Sequence, residues 1–131
     1  MQELTKAEAQ VMQYLWELEE GFVKDVVEKF PDPKPAYNTV STIIRILEKK
    51  KVVGHKAYGR SFMYYPLITK ESYTKSTTNQ LVDNYFSGSV ENLVSFFVKE
   101  KEISVDELEK ILNEIKKSWA YYNFYWFRSI L

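Results

Sequence analysis

The sequence has no cysteine and only one histidine, His55, in 131 residues. Disulfides and thiolate metal sites are therefore excluded, and a single histidine lacks the partners that a metal site or a catalytic dyad requires. No glycine-rich phosphate loop, nucleophile elbow or pair of carboxylates on an apolar helical face is present. We therefore expect a protein that is not an enzyme, holds no cofactor and has no small-molecule substrate.

Targeting segments and long apolar runs are also missing. The N-terminus MQELTKAEAQ lacks the basic flank and apolar run of a signal peptide. No run of about 20 apolar residues exists that would cross a bilayer. With 45% apolar and 27% charged residues, the composition is that of a globular chain, and we expect it to reside in the cytoplasm.

Charge is balanced in total but unevenly distributed, with 18 basic and 18 acidic residues in the chain. Residues 34–60 contain seven basic residues and one acidic residue, Glu48, whereas residues 1–30 contain three basic and seven acidic residues. One cationic segment is therefore offset by the remainder of the chain. Such an asymmetry is typical of a nucleic-acid-binding surface.

The first half of the chain has the apolar spacing of three helices. Thr5 and Glu8 have the spacing of a capping box at the start of the first helix, which Gly21 is expected to end. A short second helix follows, and PDPKP (31–35) cannot lie inside a helix, so it connects to the third. The third helix is predicted from about residue 37 to residue 50.

The third helix has two chemically different faces. Its inner stripe is apolar and consists of Val40, Ile43, Ile44 and Leu47. The period then changes to two over 52–58 and 61–65, which predicts a β-hairpin with Gly59-Arg60 at its turn and Pro66 at its end. Three helices followed by a hairpin predict a winged helix-turn-helix.

The outer face of the third helix and the hairpin carry the side chains that suit DNA. Polar side chains on one helix can reach base edges in the major groove, and cations nearby can reach phosphates. We predict the following DNA-binding residues: Asn38, Thr39, Ser41, Thr42, Arg45, Lys49, Lys50, Lys56 and Arg60.

The region after the hairpin is predicted to contain further amphipathic helices, and Ser104 and Glu107 have capping-box spacing. These helices have little core of their own, which indicates an oligomerisation module. We therefore expect a mainly α protein with a DNA-binding domain at 1–68 and a helical dimerisation module at 69–131. The predicted dimerisation residues are Tyr85, Leu93, Phe97, Leu108, Ile111, Leu112 and Ile115.

The last thirteen residues, WAYYNFYWFRSIL, include seven aromatics and continue the preceding apolar stripe.

Three separated motifs resemble the penicillinase-repressor family, the BlaI/MecI type. They are LTKAEAQVMQYLW (4–16), NTVSTIIRILEKKKVV (38–53) and KAYGRSFMYYP (56–66). The resemblance implies a dimeric winged-helix repressor bound to a palindromic operator and held together by its C-terminal helices. This sequence departs from the family pattern at Lys51, where the family usually has glycine. It also departs from the pattern in the aromatic segment after Lys117.

The resemblance also implies relief of repression by proteolysis, downstream of a membrane sensor-protease that recognises β-lactams. The corresponding cleavage site here is Phe96-Phe97, although the family often has asparagine at the position of Phe96. Two other functions are left open by the residues themselves. One is a winged helix that serves as a protein-interaction module, and the other is a structural oligomeriser driven by the aromatic segment.

Overall fold

The computed structural model describes residues 3–130, with side chains described as far as residue 118. Its elements are α1 (Lys6–Leu18), α2 (Val23–Lys29), α3 (Tyr37–Lys49), β1 (Val53–Tyr58), β2 (Ser61–Pro66), α4 (Lys70–Tyr85), α5 (Val90–Glu100) and α6 (Val105–Ile130). The three helices α1 to α3 and the antiparallel hairpin β1–β2 form a winged helix-turn-helix, as predicted.

The chain divides into two compact units, residues 1–80 and residues 81–131. The functional boundary expected after residue 68 stays a prediction, and the division into compact units falls inside α4. The reason is that the first turns of α4 pack on the winged helix. Trp16 donates a hydrogen bond from Nε1 to the carbonyl of Ile68 at 2.9 Å, and its ring lies 5.8 Å from that of Tyr73.

The core of the first unit is formed by the inner faces predicted from periodicity. Val40, Ile44 and Leu47 of α3 are fully buried, whereas Ile43 is only half-buried. The other buried core residues are Leu4, Val11, Met12, Leu15, Val23, Val26, Val52, Val53 and Tyr64. Each buried aliphatic side chain of this size contributes about 1.5–3 kcal/mol to folding, so this cluster supplies most of the stabilisation of the unit.

Gly21 has a different role from the one predicted. α1 ends at Leu18, and the chain leaves the helix at Glu19, which has a positive φ of 68°. Gly21 instead pairs with Tyr64 of β2 through two backbone hydrogen bonds of 2.9 and 2.8 Å. This bridge attaches the hairpin to the turn between α1 and α2.

Glu8 connects α1 to the end of α3. Its backbone N–H donates to Thr5 Oγ1 at 3.2 Å, as the predicted helix cap requires. Its carboxylate forms an ion pair with Lys50, whose Nζ lies 2.9 Å from Oε2 and also donates to the carbonyl of Glu3 at 3.3 Å. The side chain of Glu8 is 5% exposed and that of Lys50 is 23% exposed. An ammonium held in this way must leave Glu8 to reach a phosphate, so the ion pair competes with the phosphate contact of Lys50, which stays a prediction.

Opposing effects act on the ionisation of Glu8. Burial raises the pKa of this carboxyl, but the hydrogen bonds and the positive charge of Lys50 outweigh burial and hold the pKa below its ordinary value of 4.5. A folded-state pKa below the unfolded one contributes stability above about pH 4.5, and that contribution is lost as the pH falls through the folded-state value.

Lys51 ends α3 in a Schellman motif. Its φ is 64°, its N–H donates to the carbonyl of Glu48 at 2.9 Å, and Val52 N–H donates to the carbonyl of Leu47 at 3.1 Å. Val52 and Leu47 are both buried, which completes the apolar contact typical of the motif. Lys51 therefore occupies the left-handed position that glycine favours, and its Cβ is strained there.

The second unit has little interior of its own among the residues that are described. Ser87 and Gly88, both with positive φ, separate α4 from α5, and Ser89 caps α5 by accepting from Asn92 N–H at 3.1 Å. Ser104 accepts from Glu107 N–H at 3.1 Å and caps α6, as predicted. α6 is 26 residues long and continues through the aromatic segment.

Replacing Lys50 by methionine is expected to lower the free energy of unfolding at pH 7 by about 2–4 kcal/mol, because the buried Glu8 carboxylate loses its partner. At about pH 3.5, where Glu8 is protonated in the unfolded chain, the loss should be much smaller. Urea unfolding at both pH values measures this. Lys49→Met is the matched control, since Lys49 is exposed, and should change stability by less than about 0.5 kcal/mol. A loss of equal size at both pH values would contradict the role given to the pair.

Replacing Lys51 by glycine should stabilise the first unit by about 0.5–1 kcal/mol, since glycine adopts positive φ without strain. Lys51→Ala removes the same charge but keeps the Cβ atom, and should leave stability nearly unchanged. Equal urea midpoints for the two variants would show that charge, and not backbone strain, governs this position.

Candidate nucleic-acid interface

Burial of the inner stripe of α3 turns its polar face to solvent. Asn38, Thr39, Thr42 and Arg45 are exposed on this face and Ser41 is half-buried. Thr42 donates its hydroxyl hydrogen to the carbonyl of Asn38 at 2.8 Å, so its oxygen remains able to accept. The predicted base-reading residues of α3 therefore lie together on an accessible helical surface.

A groove of about 550 Å³ lies between the start of α2, the outer face of α3 and the hairpin. Its cationic lining residues are Lys24, Arg45 and Arg60, and none of its lining residues is acidic. The remaining lining residues are Phe22, Val23, Tyr37, Asn38, Ser41, Ser61, Phe62 and Tyr64. Base-reading candidates on α3 and the arginine at the hairpin turn thus share one electropositive concave surface.

The cations around this groove differ in whether a carboxylate already pairs with them, and so in how readily they can bind a phosphate. Arg45, Lys49 and Arg60 have no carboxylate partner among the residues that the structure describes. Lys56 pairs with Glu20 at 2.8 Å, and the hydrogen bond to Glu20 is the main reason that the pKa of Lys56 is raised. Both of these side chains are about half exposed, so water and salt weaken the pair and a phosphate can replace the carboxylate.

The tight turn places Arg60 at the tip of the hairpin. Tyr58 pairs with Ser61, so Gly59 and Arg60 form a two-residue loop, as predicted. Gly59 has φ of 65°, which is typical of the first position of a type II′ turn. A Cβ atom at Gly59 would have open space around it, so the glycine is required by the backbone conformation and not by packing.

Glu48, the lone acid of the cationic segment, attaches the hairpin to α3. Its carboxylate accepts a hydrogen bond from Nδ1 of His55 on β1. The His55 ring lies 4.5 Å from Phe62 and 5.9 Å from Tyr64. Burial raises the pKa of Tyr64 and the charge of Glu48 raises it further, against a smaller opposing effect of Arg45. These contacts fix the hairpin beside the polar face of α3.

Lys24 is a residue of this surface that the sequence analysis did not predict. It lies in the first turn of α2, is exposed, and lines the groove with Arg45 and Arg60. It belongs to the stretch of the chain in which acidic residues predominate, so counting charge by segment concealed it. The only sequence signal was its place near the start of the predicted second helix of the helix-turn-helix.

The predicted C-terminal residues lie on the second unit. Tyr85, Phe97, Ile111, Leu112 and Ile115 are exposed, and Leu93 and Leu108 are half-buried. Phe96 and Phe97 lie inside α5, and the Phe96 ring stacks edge-on with Phe86 at 5.6 Å. A single chain therefore leaves most of the predicted dimerisation residues in contact with water.

Within residues 3–118, whose side chains are described, no cluster of three or more histidine or acidic side chains is arranged to hold a metal ion. None of the helices in the described part of the chain is both long enough and apolar enough to cross a membrane.

Comparison with known proteins gives consistent matches over most of the chain. The family model described as penicillinase repressor matches residues 4–117. The methicillin resistance regulatory protein MecI of Staphylococcus aureus (strain N315) is 27% identical over 116 residues, which cover 88% of this chain and 94% of that protein. The penicillinase repressor of Bacillus licheniformis is 25% identical over 118 residues, which cover 87% and 92%. A solved structure titled CopR repressor aligns with 51% of this chain and 99% of its own, at 31% identity and a TM-score of 0.43.

Proposed function

We propose that this chain, which belongs to the penicillinase repressor family of DNA-binding transcriptional repressors, acts as a homodimer on a palindromic operator in the cytoplasm. In this proposal α3 lies in the major groove, and the hairpin lies on the adjacent backbone. Two protomers related by a two-fold axis would read half-sites about one helical turn apart, or a multiple of it.

The observation that carries the proposal is the groove between α2, α3 and the hairpin, which has cations on three elements and no acidic lining residue. Phosphate contacts supply affinity and register, and base contacts supply sequence preference. Lys24, Lys49 and Arg60 have the charge and exposure for phosphates. Arg45 on the outer face of α3 can donate two hydrogen bonds to a guanine.

The exposed apolar residues of the second unit support the homodimer. Ile111, Leu112 and Ile115 follow one another on α6 at helical spacing and each is about half exposed. Apolar surface of this extent is unfavourable in water, and a two-fold interface buries the same patch on both chains. We therefore assign dimerisation to the second unit and DNA binding to the first.

Relief of repression by proteolysis at Phe96-Phe97 is part of the proposal. The two residues lie in the middle of α5, so a protease that requires extended backbone must first unwind this helix. Cleavage there would separate α6 from the DNA-binding unit and weaken the dimer. Because the relatives are named for methicillin resistance and penicillinase, we propose a membrane sensor-protease of antibiotic resistance as the activating partner.

Arg45→Ala is expected to weaken operator binding by about 1–3 kcal/mol and to relax sequence preference, because a bidentate base contact is lost. Lys99→Ala, on α5, removes one exposed charge outside the DNA-binding unit and serves as the matched control. With about three phosphates neutralised per protomer, the log–log salt dependence of the dimer should have a slope on the order of −5. Gel shifts with an operator and a scrambled duplex measure both quantities.

A salt slope near zero and equal affinity for both duplexes would contradict DNA recognition by this surface. That outcome would favour the alternative that the winged helix is a protein-interaction module whose basic face meets an acidic partner.

Ile111→Asp should convert the dimer to a monomer, because a carboxylate at a buried interface loses its hydration without gaining a partner. Asn113→Asp introduces the same charge two residues along the same helix, at an exposed polar position, and should leave the mass unchanged. Sedimentation equilibrium gives the masses. If Ile111→Asp remains dimeric, this face of α6 does not form the interface.

A further inference from the structure

The last part of α6 lies outside the region that defines the family. The family match ends at residue 117, whereas the helix continues to Ile130. None of the residues named above for DNA binding or dimerisation lies within 119–131.

Its composition differs from that of the rest of the chain. Seven of its thirteen residues are aromatic, and five of those seven are tyrosine or tryptophan. Its one charged residue is Arg128. No acidic residue follows Glu114, so 115–131 contains three cations, Lys116, Lys117 and Arg128, and no anion.

The length and chemistry of this segment suit the surface of a membrane better than its interior. The twelve helical residues 119–130 span about 18 Å, less than the roughly 30 Å of a bilayer core. Tyrosine and tryptophan have an apolar ring with a polar group, and they concentrate at the boundary between headgroups and acyl chains. Lysine and arginine beside such rings are attracted by anionic headgroups.

A second copy of the same segment is a less suitable partner. Aromatic residues stand at 119, 121, 122 and 124–127, a spacing that no single helical stripe accommodates, whereas helix pairing buries one stripe. Two copies of 115–131 would also bring six basic side chains together without an acidic side chain in either. An anionic lipid surface satisfies both the apolar and the electrostatic requirement.

We propose that the C-terminal end of α6, residues 116–130, binds the surface of anionic lipid bilayers. The aromatic rings enter the boundary between headgroups and acyl chains, and Lys116, Lys117 and Arg128 bind lipid phosphates. The repressor then has two separate anionic ligands, DNA on the first unit and lipid on the second.

The test uses the full chain and vesicles of phosphatidylcholine, either alone or with about 30% phosphatidylglycerol. We expect the protein to co-sediment with the anionic vesicles at least about tenfold more tightly than with the neutral ones. Tryptophan emission should shift to shorter wavelength on binding, because the proposal places Trp119 and Trp126 at the less polar boundary between headgroups and acyl chains. Trp16 provides a constant background, since its indole N–H is bonded to the carbonyl of Ile68.

Two variants define the parts of the segment. Deletion of 119–131 should abolish both co-sedimentation and the emission shift. The triple variant Lys116→Gln, Lys117→Gln, Arg128→Gln should bind anionic vesicles at least about tenfold more weakly. Its matched control, Lys99→Gln, Lys101→Gln, Lys110→Gln, removes the same charge from the same unit and should bind like the unaltered chain.

Three outcomes would overturn this inference. They are absence of binding to anionic vesicles, undiminished binding after deletion of 119–131, and equal weakening by the two triple variants. A fall in solution mass on deletion, together with absence of vesicle binding, would assign the segment to pairing between copies and would also overturn it. Gel shifts of the operator on the same samples report the proposed repressor function independently.

Discussion

Burial of one stripe of α3 against α1 and the hairpin is the constraint on which the DNA-binding surface depends. Val40, Ile44 and Leu47 are fully withdrawn from water, and rotation of the helix would expose them at a cost of several kcal/mol. The opposite face is therefore held toward solvent in one orientation. Glu8 and Lys50 fasten the end of the same helix to the start of α1, so its position along its axis is restricted as well.

The hairpin is also held in a fixed position relative to α3. The orientation of the surface that α3 and the hairpin form together is therefore fixed. The bridge between Gly21 and Tyr64 joins β2 to the turn after α1, and the hydrogen bond between Glu48 and His55 joins β1 to the end of α3. The hairpin is thus held at two places along its length. Arg60 at the hairpin tip and Arg45 on α3 therefore line the same groove. This arrangement suits a DNA duplex, in which a phosphate and a neighbouring base edge are contacted together.

The two units use apolar residues in opposite ways. The first unit buries twelve of them in one cluster, whereas α5 has no buried residue and α6 leaves Ile111, Leu112 and Ile115 exposed. A unit that does not bury its apolar face within one chain depends on association for its stability. In the homodimer proposed above, proteolysis or mutation in the second unit would accordingly alter operator affinity through the interface between protomers, at a distance from the residues proposed to contact DNA.

The sequence alone determined the elements whose causes are local: the two faces of α3, the turn at Gly59-Arg60 and the cap at Ser104. Periodicity and turn chemistry act between residues a few positions apart, so they are readable from the chain. Tertiary structure alone decided which lysines of the basic segment form an ion pair with a carboxylate and which do not. Lys50 and Lys49 are neighbours in the same basic run, yet only Lys50 meets Glu8, 42 positions away. Lys24 lines the candidate DNA-binding groove because folding places the start of α2 beside α3 and the hairpin. The start of α4 likewise belongs to the first unit because it packs on residues distant in sequence. In both cases the packing of distant segments sets the surroundings of a side chain.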